Sequence, residues 1–511
     1  MAKKGKSKKK SKFANVSDLP KRRYDGARLS RNNSDWLVSS SSADSDLRSD
    51  LVRLRNRSRD LIRNNPYLKH AIQATLPNNV IGSGMGFQSQ IKRKRGDKLD
   101  DDLNQQIEDA WLEWQQADYC HTAGRLTFGD LQRLAIKSIA ESGEVLFRVI
   151  RSSFGGSLIP IALEIIEADQ LCDSHAVSGY GGNLIKMGVE LNEWQRPVAY
   201  HLYPYHPGDT QFTRAVENGK LIRVAADDVY HLFLSNRPGQ TRGVPWLHAV
   251  INRCRQMNAF EDAKITTARA QALINAFITT PDPENVVLAG ETENGDRTWD
   301  LDSGEAIVLQ PGEQVQAFIP STPNDNGSEF LKSLLRSAAI STGISYEGFT
   351  GDFSNTSYSS ARTALLQERD CYQVLQTWFI NNFLLPFYRE WLDVAVLSGR
   401  VKIDDYFQNR AHYCKPKFTS RGWPWVDPLK EVNANIRAVK AGFKTLTEIA
   451  AESGKDFEDI VKTRRREMDL MESYQVNFSD TNSQSSVEPV IMTEKQFRSL
   501  KYKSNLRLRS D

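Results

Sequence analysis

The stretch HLFLSNRPGQTRGVPWLHAVI, His231 to Ile251, decides how the rest of the chain is read. Its apolar start predicts a strand from Tyr230 to Leu234. The strand breaks into a loop holding Arg237, Gln240 and Arg242 among two glycines and two prolines, and the loop opens onto a segment with helical periodicity. Two readings fit. A glycine-bearing loop ahead of a helix offers free N–H groups and a positive dipole end to a phosphate. The same residues also make a rigid corner between two structural parts.

Downstream, 35 residues between Pro245 and Pro281 hold neither glycine nor proline. As one helix they would reach about 50 Å, long for a compact domain. Leu247, Val250, Ile251, Cys254 and Met257 follow three- and four-residue spacing, with Arg253, Arg255, Glu261, Asp262 and Lys264 on a wet side. A Pro/Gly-rich segment of mixed strands runs to about residue 327, before a helix over FLKSLLRSAAIST. The loop GISYEGFTGDFSNTSYSS then precedes a second long helix, Ser359 to Leu397, kinked at Pro386. Toward the C-terminus, Asp427 with Pro428, Thr445 with Glu448, and Asp456 open helices that Gly442 and Gly454 punctuate.

Upstream, Asn64 or Asn65 caps a helix with Pro66 in its first turn, and a tryptophan-bearing helix spans about 100 to 118. EVLFRVI, IALEIIEAD, KMGVELN and RPVAYHLYP read as strands, so this zone is α+β.

Composition narrows the function. At 511 residues and 40% apolar content the chain has material for about three domains. No apolar run of about 18 residues exists, and the lysine-rich start is not followed by an apolar segment, so neither a membrane span nor a secretory signal is expected. Five scattered cysteines, with no C-x-x-C pair, fit a reducing compartment without disulfides or a zinc site. The net charge of +4 divides unevenly: +7 in residues 1 to 12, +4 in residues 491 to 511, and −7 between them. Basic ends on an acidic body lack the concentrated basic face of a duplex-gripping domain.

Catalytic patterns are missing. There is no G-x-x-x-x-G-K-[ST], H-E-x-x-H or G-x-S-x-G. IGSGMGF lacks the third glycine of a dinucleotide loop. His201 and His206 read as surface or packing histidines, and Glu141 and Glu144 around Gly143 as solvated acids at a strand edge. No catalytic residue, cofactor or metal site is expected.

The order RNNPYLKHAI, IGSGMGFQSQ, SGEVLFRV, LEIIEADQL, GVELNEWQRPVAYHLY, VYHLFLSNRPGQTRGVPWL, LQPGE, GISYEGFTGDFSNTSYSSAR and WPWVDPLKE resembles the lambda-type portal proteins of tailed bacteriophages. The resemblance runs from about Arg53 to Lys455, and RPGQ-x-RG-x-P paired with D-[FY]-S-x-x-x-YSSAR carries most of its specificity. Pro77 departs from the family pattern, which continues that helix toward DN-V-x-G.

The resemblance implies an α+β multidomain portal fold, assembled as a closed ring. Residues 46–243 would be the wing, 244–279 the first stem helix, 280–327 the clip and 328–343 the second stem helix. Residues 344–358 would be the tunnel loop, 359–425 the long helix and return to the wing, and 426–475 the helical crown. Outside the resemblance, composition alone reads residues 1–45 as a disordered basic and serine-rich tail and 476–511 as a mobile basic tail. It further implies a virion protein at the capsid portal vertex, assembled in the host cytoplasm. Its implied partners are further copies of itself in a dodecamer, the terminase large subunit, major capsid and scaffold proteins, head completion and tail adaptor proteins, and double-stranded DNA in the channel, with no membrane. A packaging nuclease or ATPase component, or a DNA-binding scaffold protein, is the alternative.

On this reading Arg237, Gln240 and Arg242 form the corner from wing to stem, bracing carboxylates or carbonyls. Phe353, Ser354, Asn355, Thr356, Ser357 and Tyr358 form the part of the loop that meets DNA, with neutral side chains offering hydrogen bonds to phosphate; the alternative is that Ser359 or Ser360 simply caps the next helix and the remainder is a slack connection. An acidic body suits a channel through which DNA slides, because each neutralised phosphate adds affinity.

Overall fold

The computed structural model describes residues 40–94, 98–209, 220–273, 277–279, 290–291, 297–298, 314–316, 327–354, 356–423 and 427–474. Two units divide the chain, the first ending at Arg421 and the second starting at Gly422.

Among the described residues of the first unit, the earliest helix overlaps the end of the stretch expected to be a disordered tail. Ser42 caps Ala43–Arg48 by accepting from the Ser45 amide, so order starts before residue 46. In Leu51–Asn64 the buried positions are Leu51, Arg55, Ser58, Leu61 and Ile62, one stripe at helical spacing that includes an arginine. Asn65 caps the helix Pro66–His70 by accepting from the Leu68 amide at 3.0 Å. A wide π turn, Ala71–Thr75, then admits Pro77 into Leu76–Val80, because a proline has no N–H for the regular ladder.

Two antiparallel sheets follow. Glu144–Ile150 is the centre of a three-stranded sheet, between Ala162–Ile166 and Val229–Phe233. A five-stranded meander runs Val177–Tyr180, Asn183–Lys186, Val189–Leu191, Pro197–Leu202 and Ile222–Ala225. Their apolar faces share a core that includes Leu146, Leu171, Leu191 and Leu202. The helix Phe128–Ser142 feeds the central strand; a Thr127/Asp130 capping box opens it, and Gly143, at φ +94°, closes it.

The long helix returns to this body. It runs Tyr358–Phe379, through a π turn at Ile380–Leu384, into Leu385–Leu397. The irregularity expected at Pro386 thus falls on the turn before it, where the ladder must open ahead of the missing N–H. Phe383, Phe387, Tyr388 and Trp391 pack there against Trp111, Trp114 and Phe128 from the helices Asp101–Trp114 and Phe128–Ser142. Trp111 crosses Trp391 edge-on at 4.8 Å between ring centroids. Such aromatic pairs add about 0.5–1.5 kcal/mol each beyond burial.

The first long helix is shorter than its glycine-free stretch. A 3-10 turn, Trp246–Ala249, precedes a helix over Ile251–Leu273, and Phe277–Thr279 is a strand paired with Gln314–Gln316. The aromatic and β-branched run FITT favours extended backbone, which overrides the absence of breakers. The helix Gly327–Thr342 packs antiparallel beside it: Arg253 Nη1 donates to Ser337 Oγ at 2.6 Å, and the Phe260 and Phe330 rings sit 5.3 Å apart. Most of the segment 280–327 lies outside the described residues, as do residues 1–39 and 475–511.

The second unit contains Pro428–Lys440, Leu446–Glu452 and Phe457–Ser473. Asp427 caps the first, and Thr445 with Glu448 forms a complete capping box on the next.

Candidate functional site

Arg242 is wholly buried where the central strand begins. Its Nη2 and Nε donate to Glu144 Oε1 at 2.6 and 2.8 Å, and its Nη1 lies 2.7 Å from Asp173 Oδ1. Remaining donors reach the carbonyls of Met187 at 2.7 Å, Ala168 at 3.1 Å and Leu171 at 3.4 Å. One guanidinium thus ties the first strand of one sheet to the connections of the other.

Glu144 is the anion at the centre. Besides Arg242, it accepts from Arg55 Nη2 at 3.1 Å, His231 Nε2 at 2.9 Å and the Gly243 amide at 2.8 Å. Burial alone would raise its carboxyl, but the Arg242 guanidinium and the His231 hydrogen bond outweigh burial and hold it well below the usual carboxylate range. Being ionised it only accepts, so His231 Nε2 carries the proton. Asp173 neutralises the second buried arginine: Arg55 Nη1 lies 3.4 Å from its Oδ2. Burial pushes the Asp173 carboxyl up, against the opposing pull of Arg242 and Arg55. Arg55 also lies 3.5 Å from Asp169, so the buried guanidinium groups of Arg55 and Arg242 are matched by Glu144, Asp173 and Asp169, as buried charges require.

The loop that reads as a phosphate cradle therefore does hold an anion, and the anion is the chain's own. The expectation that Glu141 and Glu144 are solvated strand-edge acids fails for Glu144, which is fully buried. Glu144, Arg55, Asp173 and His231 were missed by the sequence reading. One signal was present: Arg55 falls on the buried stripe of its helix, four residues after Leu51.

Backbone contact explains the neighbouring glycines. A Cβ on Gly143 would lie 2.6 Å from the Val244 carbonyl carbon, and one on Gly243 would strike the Gly143 carbonyl. The SGE and RGVP segments thus touch through glycine on both sides. Gln240 completes the turn: its Nε2 donates to the Arg242 carbonyl at 2.7 Å, and its Oε1 accepts from the Asn236 and Arg237 amides at 2.9 and 3.3 Å. Arg237 is more exposed; it donates to Asp46 Oδ2 and the Ser41 carbonyl, both at 2.8 Å.

The second predicted site is more built than a slack connection. Residues 344–358 include a helix, Tyr346–Thr350, capped by Ser345 and ended by Gly351 at φ +72°. Ser354 Oγ donates to Asp352 Oδ1 at 2.6 Å, and Thr356 Oγ1 to Glu347 Oε1 at 3.0 Å. Ser357, not Ser359 or Ser360, caps the long helix, accepting from the Ser360 amide. In this arrangement the hydroxyls of Ser354 and Thr356 point their protons at carboxylates, and the side chains left open are Phe353 and Tyr358, 59% and 60% exposed. Asn355 lies outside the described residues.

Metal chemistry finds one cluster among the described residues, Glu167, Asp169 and His206. Arg59 Nη2 lies 2.8 Å from Glu167 and 2.5 Å from Asp169, so a cation already sits between these carboxylates. His201 packs against Glu190 at 3.3 Å, and burial lowers its pKa.

Residues 29–376 match the family model described as phage portal protein, lambda family. The "Probable portal protein" of Halomonas phage phiHAP-1 is 31% identical over 86% of this chain and 85% of its own. "Portal protein B" of Escherichia phage lambda is 22% identical over 84% of this chain and 86% of its own. Among solved structures, a chain from "Neck of native GTA particle computed with C12 symmetry" is 14% identical with a TM-score of 0.44, covering 80% of this chain and 93% of that one. The match over residues 29–376 and the 31% identical relative establish that this chain belongs to the lambda family of phage portal proteins.

Proposed function

We propose that this portal protein works as a closed ring of identical subunits, with the helices Ile251–Leu273 and Gly327–Thr342 as the stem around a DNA channel. Residues 344–358 would be its tunnel loop and residues 280–327 its clip, where terminase and later adaptor proteins dock. The observation that carries the reading is exposure. Residues 262–269 are exposed on every side of their helix, and Ile265, Phe330 and Ile340 are 50%, 53% and 81% exposed. A helix open all round has too little buried surface to stand alone in water, so neighbours must cover it. A closed ring supplies them with every subunit in the same environment.

The corner then has a task. Force on the stem reaches the wing through RPGQTRGVP, and the Arg242–Glu144 fork holds that junction in fixed geometry. Catalysis has no place in this reading, and among the described residues no helix is long and apolar enough to cross a membrane. Negative-stain images of purified protein test it: rings with a central channel are expected. Monomers at micromolar concentration, or ATP turnover by the protein alone, would favour a packaging nuclease or ATPase instead.

A further inference from the structure

The corner is also closed from outside. Residues 41–48 lie across it from nearly 200 positions away in sequence, with separations of 191 to 197 at four of their contacts. Asp44 is the main anchor, its side chain only 10% exposed. Its Oδ1 accepts from the Thr241 amide at 2.8 Å and the Thr241 hydroxyl at 3.0 Å, while Lys186 Nζ donates to its Oδ2 at 3.1 Å. Arg237 adds the Asp46 pair and the Ser41 carbonyl. Ala43 and Leu47 are buried beneath the segment, so it is seated by apolar contact as well as by charge. The corner is thus held from two sides: Arg242 by buried carboxylates and carbonyls, Thr241 and Arg237 by this segment.

We infer that residues 41–48 are a strap that locks the corner, with Asp44 as its positioning residue, and that the locked state depends on this strap and not on the lysine-rich residues before it. The short helix Ala43–Arg48 is too brief to be stable in isolation, so its docked state reports on the corner and the corner on it. This local lock does not require the ring; only its consequence for assembly rests on the reading proposed above.

Hydrogen–deuterium exchange of full-length protein and of variants lacking residues 2–39 or 2–48 tests the strap, read at the amides of residues 236–244. Removing 2–39 is expected to leave protection unchanged, and removing 2–48 to speed exchange at Thr241 about tenfold, as for loss of a bond to a charged acceptor. Full-length Asp44→Ala, which keeps the rest of the segment, is expected to do the same at Thr241 if the longer truncation does not fold. Unchanged protection in Asp44→Ala overturns the proposal. Faster exchange already on removal of 2–39 overturns it too, because the lock would then lie earlier in the chain. Ring formation is scored separately by negative stain: intact exchange effects without rings would count against the ring alone.

Discussion

Arg242 directs its guanidinium at two carboxylates and three carbonyls of its own chain with no exposure, whereas residues 262–269 of the neighbouring helix meet solvent on all sides. Both belong to one continuous passage of sequence. At the corner the chain supplies all its own partners, so the geometry is complete in a single copy. Further along the helix Ile251–Leu273, the described residues 262–269 are all exposed, although Gly327–Thr342 packs antiparallel beside the helix. On the ring reading proposed above, the difference separates what one chain folds by itself from what it reserves for other copies.

The sharpest way to break this contrast is at Glu144. Glu144→Gln removes the more buried of the two carboxylates that Arg55 and Arg242 share and is expected to cost about 3–5 kcal/mol, measured by denaturant unfolding. A loss under about 1 kcal/mol would mean that water reaches the corner and the contrast is false. Arg242→Lys keeps the charge but not the planar fork; it is expected to destabilise less than Glu144→Gln and to weaken ring formation. Normal rings with lost DNA binding would return the loop to the phosphate-site reading.

Gly143→Ala tests the backbone contact. The added methyl meets Val244 at 2.6 Å in a left-handed conformation, and roughly 1–3 kcal/mol of destabilisation is expected. Acid sensitivity sharpens the same region. Glu144 has a folded value depressed from 4.5, so its stabilisation is fully present above 4.5 and is lost as pH falls toward the folded value. Wild-type stability should therefore fall more steeply below pH 4.5 than that of Glu144→Gln; parallel curves would show that the carboxylate is not the titrating group.

At the far end of the scale, Ile265→Glu is expected to leave the unfolding free energy of the subunit within about 0.5 kcal/mol, since the side chain is half exposed. Rings should nevertheless fail to close in negative stain, because a charge would be carried into the covered stem. Unimpaired rings would show that this face remains wet.

Much of the local structure was legible in residues. Asp427 before Pro428 and Thr445 with Glu448 are caps whose chemistry acts within one helical turn, and each forms as the sequence reads; of Asn64 and Asn65 before Pro66, the structure uses Asn65. EVLFRVI and RPVAYHLYP form strands as their β-branched and aromatic residues suggest. Reading failed where a local signal met a tertiary one. The glycine-free stretch after Pro245 suggested one helix, yet Phe277–Thr279 found a strand partner at Gln314–Gln316. Ser359 or Ser360 reads as the cap of the long helix, yet Ser357 takes that place, because a run of serines does not show where the first turn begins.

By itself the sequence determined the family, the order of sheet-rich and helical zones, and the presence of a stiff arginine-bearing corner between them. Only the tertiary structure decided what those arginines hold. Glu144 looked like an acid at a strand edge because burial is not a property of neighbours in sequence. It is set by Arg55, Asp173, Arg242 and His231, which converge from three separate segments, and a charge is tolerated in the core only once such partners surround it.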